Sequence, residues 1–102
     1  MANLAAIGNQ TRQLAVIGYP IAHSISPAMH NEAFRSQRMN CNYSALAVAP
    51  DDLKAAVEGI RALGFMGVNV TIPHKEAVLP LLDEVAPTAR QVGAVNTIVN
   101  RG

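Results

Sequence analysis

Gly67-Val68-Asn69-Val70-Thr71-Ile72-Pro73-His74-Lys75 joins a short apolar strand to a proline-started turn. Side chains alternate along a strand, so Val68 and Val70 share one face while Asn69 and Thr71 share the other. Pro73 lacks an amide hydrogen and fixes its own φ, which stops the strand and presets a turn or a first helical residue. Lys75 then falls in the opening turn of the next segment, where a helix dipole disfavours a cation. A lysine at that position points to chemistry rather than to helix stability.

The pattern extends outward in both directions. Leu14-Ala15-Val16-Ile17-Gly18 is an apolar run closed by glycine, as expected of a strand buried on both faces. A loop over Tyr19–Ser26 precedes a helix from Pro27 to about Met39, with Ser26 as its N-cap. Asn42–Val48 reads as a second strand, with Tyr43, Ala45 and Ala47 on one face. Pro50-Asp51-Asp52 starts a second helix, in which Leu53, Ala56, Val57, Ile60 and Leu63 recur at helical spacing and Gly64 makes the stop. Phe65–Thr71 is the third strand and His74–Leu82 a short helix. Asp83–Val92 is a further helical stretch interrupted near Pro87, and Ala94–Val99 is the last strand. Strands and helices alternating at this spacing predict a three-layer α/β/α sandwich with a mostly parallel, mixed sheet. Asn100-Arg101-Gly102 reads as half a hairpin turn, which makes the last strand antiparallel.

Composition narrows the function classes. The 102 residues are half apolar and carry a formal charge of +1 with 4% aromatics, which excludes the basic field and stacking rings of a nucleic-acid surface. The single cysteine, Cys41, gives no internal disulfide and fits a reducing cytoplasm. Met1–Arg12 has neither a basic start nor a long apolar core, so it is expected to be a flexible leader, not a signal peptide or a membrane span. His23, His30 and His74 lack the close partners that a metal site requires. Without an acid nearby in sequence to orient them, His23 and His74 are expected to be structural. Gly18-Tyr19-Pro20 lacks the glycine spacing of a nucleotide fingerprint.

In an open α/β sheet, ligands bind beyond the carboxyl ends of parallel strands. The first strand delivers Gly18–Ser26 to that edge and the third delivers Thr71–Lys75. An antiparallel last strand starts at the same edge and brings Asn96 and Thr97 beside Thr71 and Lys75. Hydroxyls, carboxamides and one ammonium suit a small polyhydroxylated acid. Ser24 and Ser26, ahead of a helix N-terminus, make a neutral site for its carboxylate. Each residue also has a plainer role. Ser26 is an N-cap, Ser24 a loop serine, Asn69 a brace, Thr71 a strand residue, Asn96 a polar residue at a strand start, and Lys75 a solvated surface lysine.

Three blocks match one family in order: Gly18-Tyr19-Pro20-Ile21-Ala22-His23-Ser24-Ile25-Ser26-Pro27, then Asn69–Lys75, then Gly93-Ala94-Val95-Asn96-Thr97. Together they resemble the substrate-binding domain of shikimate dehydrogenase over nearly all of Leu14–Val99. The resemblance implies an enzyme of chorismate and aromatic amino-acid biosynthesis that reduces 3-dehydroshikimate to shikimate with NADPH. It implies that Ser24 and Ser26 bind the carboxylate, that Thr71 and Asn96 bind ring hydroxyls with Asn69 in support, and that Lys75 is catalytic. The family's aspartate partner of that lysine and its NADP-binding domain have no counterpart here. Residues 13–102 are therefore expected to be a substrate-binding domain truncated at its C-terminal end, inactive alone, with an uncovered sheet edge that favours a homodimer. A quinate/shikimate dehydrogenase and a non-catalytic module for a shikimate-type acid are the competing readings.

Overall fold

A computed structural model of the chain describes residue 8, residues 10–21 and residues 26–101, with Ser26 described by its backbone alone. Most of the expected leader, residues 1–7 and 9, lies outside the described residues. Its described end is tied down: the Arg12 amide donates to the Asn40 carbonyl at 3.0 Å, and Arg12 already belongs to the first strand.

The elements run β1 (Arg12–Gly18), α1 (Ser26–Ser36), β2 (Cys41–Ala47), α2 (Leu53–Leu63), β3 (Gly67–Val70), α3 (His74–Ala77), α4 (Pro87–Val92) and β4 (Thr97–Val99). The sheet order is β2-β1-β3-β4, with β1 parallel to both β2 and β3, and β4 antiparallel to β3. This is the mixed sheet expected. From β1 the chain first steps outward to β2, then crosses back over β1 to reach β3. The direction reverses between β1 and β3, the point beyond whose strand ends an open α/β sheet forms its binding crevice.

The register sorts the side chains. Val16 lies opposite Ala45 and Asn69, and Asn69 opposite Thr97, so these share one face of the sheet. Ala15, Ile17, Val68 and Val70 fall on the other face. There they meet Leu53, Val57 and Ile60 of α2, together with Val48, Val78 and Val95, in one buried cluster. Burying the three α2 side chains contributes about 1.5–3 kcal/mol each, so this helix is held by its apolar stripe. Leu63, at the same spacing in the last turn, is exposed. Gly64 ends the helix in the left-handed conformation (φ 74°), as its position predicts.

The other face is covered differently. None of the described side chains of α1 is fully buried, and the helix is held instead by directed contacts. The Asn31 carboxamide donates to the Tyr43 carbonyl at 2.9 Å and accepts from the Tyr43 amide at 2.8 Å. The His30 ring stacks on the Tyr43 ring with centroids 4.2 Å apart. Helix α1 stops at Ser36, three residues short of the expected Met39. Arg38 adopts φ 58°, and the Met39 amide folds back to the Phe34 carbonyl at 2.8 Å.

The expected helix over His74–Leu82 is also shorter, because Pro80 has no amide to continue it. α3 is a single turn, followed by a 3₁₀ turn over Leu79–Leu81. Pro87 starts α4 rather than interrupting a longer helix.

Replacing Asn31 with Ala leaves two backbone groups of Tyr43 without partners. The expected loss is about 1–3 kcal/mol, read as a lower urea midpoint at unchanged slope.

Candidate active-site crevice

The loops after β1 and β3 are joined by a ladder that outlasts the strands. The Thr71 amide donates to the Ile17 carbonyl and the Tyr19 amide to the Ile72 carbonyl, each at 3.0 Å. β4 enters from the far side. The Val70 amide donates to the Asn96 carbonyl at 2.7 Å and the Val95 amide to the Lys75 carbonyl at 2.8 Å. The backbone therefore brings Asn96 and Thr97 beside Thr71 and Lys75, as the antiparallel ending predicts.

Asn69 is set by its side chain rather than by its backbone alone. Tyr43 donates its hydroxyl to Asn69 Oδ1 at 2.6 Å, and Asn69 Nδ2 donates to Thr97 Oγ1 at 3.1 Å. The direction of both bonds fixes the carboxamide. Because the amide nitrogen donates to Thr97, the threonine hydroxyl keeps its proton for another acceptor. Tyr43 is 4% exposed, and burial raises its phenol pKa above the ordinary 10.0 by penalising the phenolate. Local sequence carried no sign of this partner, since Tyr43 reaches Asn69 only through strand pairing 26 residues away.

Lys75 is exposed at the crevice. The helix dipole disfavours its ammonium less than expected, because α3 is only four residues long and a single turn sums few peptide dipoles. What singles Lys75 out is its neighbour. His74 is 1% exposed, and its Nε2 lies 2.6 Å from the Val48 carbonyl. A carbonyl only accepts, so Nε2 carries the proton. The Val48 amide in turn donates to the Gly18 carbonyl at 3.0 Å. The ends of β1, β2 and β3 are thereby clipped together, and His74 is structural, as expected. Successive residues of one turn thus face opposite ways, His74 into the core and Lys75 outward. Ser24, His23 and the Ser26 side chain lie outside the described residues.

A described match to the "Shikimate dehydrogenase substrate binding domain" covers residues 16–98. The chain belongs to the shikimate dehydrogenase family. It is 67% identical over 91 residues to the NADP(+) shikimate dehydrogenase of Symbiobacterium thermophilum, covering 89% of this chain and 31% of that protein. A shikimate dehydrogenase crystallised with NADP+ superposes with a TM-score of 0.89 at 46% identity, over 92% of this chain and 33% of its own. The Listeria monocytogenes shikimate 5-dehydrogenase, crystallised with shikimate and NAD, also gives 0.89, at 44% identity over 92% of this chain and 32% of its own. The chain thus spans about a third of the length of the shikimate dehydrogenases it matches.

The described residues do not fit the family's nucleotide. A dinucleotide cradle runs from a strand through a tight glycine turn directly into a helix whose amides meet the pyrophosphate. Here seven residues of sequence stand between the end of β1 at Gly18 and the start of α1 at Ser26, and the first amide after β1, that of Tyr19, is already bonded to Ile72. The residues at the crevice are suited to a polar acid instead.

The Tyr43 hydroxyl offers a pH test. Below pH 10 both folded and unfolded tyrosine are neutral. Above it the unfolded phenol ionises first, so stability falls as pH rises from about 10 toward the raised folded value. Tyr43→Phe removes this alkaline decline and also the bond to Asn69, at a cost of about 1 kcal/mol near neutrality. Denaturant midpoints across pH 8–11, for both proteins, check the two effects together.

Proposed function

We propose that this chain is the substrate-binding part of an NADP-dependent shikimate dehydrogenase, which interconverts 3-dehydroshikimate and shikimate. The observation that carries the proposal is the meeting of the β3 end (Asn69 and Thr71) and Lys75 of α3 with the β4 start (Asn96 and Thr97) beyond the ends of β1 and β3. These are the residues whose chemistry matches a ring bearing several hydroxyls and a carboxylate. Cytoplasmic residence is part of the same proposal, consistent with the free thiol of Cys41. Among the described residues no helix is long and apolar enough to cross a membrane.

In this reading Thr71 and Asn96 hold ring hydroxyls, and Asn69 keeps Thr97 oriented beside them. Ser24 and Ser26 receive the carboxylate. Lys75 stands at the oxygen borne by the carbon that changes oxidation state. Reduction of a ketone builds negative charge on that oxygen, and an ammonium both stabilises the charge and delivers the proton. NADP, when bound to the family's enzymes, supplies the hydride. The chain spans about a third of those enzymes, so by itself it is expected to bind the substrate and to show no NADPH-dependent turnover. A homodimer through the outer edge of β4 completes the proposal, and sedimentation of the chain at increasing concentration reads it out.

Titration of ¹⁵N-labelled chain with shikimate, and separately with quinate, tests the site. Shikimate is expected to shift the amides of Thr71, Lys75 and Asn96. Ser24→Ala with Ser26→Ala should weaken it by more than about tenfold, because hydrogen bonds to a charged group contribute about 1.5–3 kcal/mol. Unchanged affinity in the double variant would remove the carboxylate assignment. Tighter binding of quinate would move the proposal to quinate/shikimate dehydrogenase.

A further inference from the structure

Gly18, the last residue of β1, is buried between the β2 and β3 ends, and its φ lies outside the left-handed region. Its backbone is therefore open to any residue, and a neighbour, not conformation, is what demands glycine. A Cβ built there would press into Thr71 Cγ2, closer than real Cβ atoms come to any neighbour, and would also stand 3.0 Å from Ile21 Cδ1 and 3.1 Å from the Ile72 carbonyl oxygen. We propose that Gly18 is a positioning residue for the substrate site: the bare β1 backbone seats the Thr71 methyl and so sets the direction of the Thr71 hydroxyl. The inference rests on the reading of Thr71 as a substrate ligand.

Three bonds stop the backbone from giving way. Thr71 is tied to Ile17 on one side of Gly18 and Ile72 to Tyr19 on the other, while the Gly18 carbonyl accepts from Val48. Ile21 Cδ1 is the end of a flexible side chain and can turn aside. The Thr71 methyl can move only by rotation about Cα–Cβ, and there the methyl and hydroxyl share one carbon. Any rotation that relieves the methyl carries the hydroxyl away from its present direction. Glycine at 18 and the branched Thr71 thus form one unit.

Four variants test this: Gly18→Ala, Thr71→Ser, the two combined, and Thr71→Val. Serine keeps the hydroxyl and lacks the methyl. Gly18→Ala is expected to weaken shikimate binding about tenfold, Thr71→Ser less than about threefold, and the combined variant is expected to recover most of the alanine loss. Binding by Gly18→Ala equal to that of the parent chain overturns the inference, as does an alanine loss of the same size in the Thr71→Ser background. A Thr71→Val chain that binds normally instead overturns the reading of Thr71 as a ligand. The three-bond couplings of Thr71 and the contact of its methyl with the Gly18 α-protons, measured without ligand, decide the geometry by themselves. One rotamer with the methyl on Gly18 is expected, and averaged rotamers overturn the inference even if the alanine variant does not fold.

Discussion

The two hydrogen bonds that carry the β1–β3 pairing past the strand ends are the constraint on which the site depends. Thr71 to Ile17 and Tyr19 to Ile72 hold two loops together where the sheet reverses its winding. Parallel neighbours would otherwise part at that point, since nothing in a helix-connected pair requires the loops to stay joined. With the ladder extended, the crevice floor is backbone, fixed to the same standard as the sheet itself. Lys75 and Thr71 inherit that precision, and the β4 start is added to it by the bonds of Val70 to Asn96 and Val95 to Lys75.

The two faces of the sheet are stabilised by different physics. On the α2 side, non-directional burial of Val, Ile and Leu supplies the free energy and tolerates small shifts. On the α1 side, the Asn31–Tyr43 amide pair, the His30 stack and the Tyr43–Asn69–Thr97 chain are directional. Directional contacts give less net energy each, about 1 kcal/mol, but they fix orientation. Asn69, Thr71 and Thr97 lie on the directional side. Stability and orientation are thereby assigned to opposite faces.

This division explains what the sequence discloses and what it hides. Strand order cannot be read locally, yet the apolar run at Leu14–Gly18, the alternation at Val68–Thr71 and the turn signal at Asn100 were enough for a mixed α/β sheet with an antiparallel last strand. The stop of α2 at Gly64 follows from short-range chemistry and lies where expected, whereas Pro50–Asp52 form a 3₁₀ turn and α2 itself starts at Leu53. Helix lengths were less legible. Pro80 cut one helix to a turn, and Arg38, a residue with no glycine-like signal, adopted a positive φ that ended another early. The gathering of Thr71, Lys75 and Asn96 at one sheet edge was legible because Thr71 and Asn96 adjoin strand ends and Lys75 follows β3 by one short turn. Tyr43 was not, because its link to Asn69 exists only after β2, β1 and β3 have paired.

His74 and Lys75 are adjacent in sequence but belong to different worlds: one imidazole is walled into the core, and one ammonium meets solvent. Damage to the first displaces the second, because they share a peptide unit and a single helical turn. A survey of variants scored by turnover alone would count both as reactive groups. The buried one would earn that label without ever meeting a reactant.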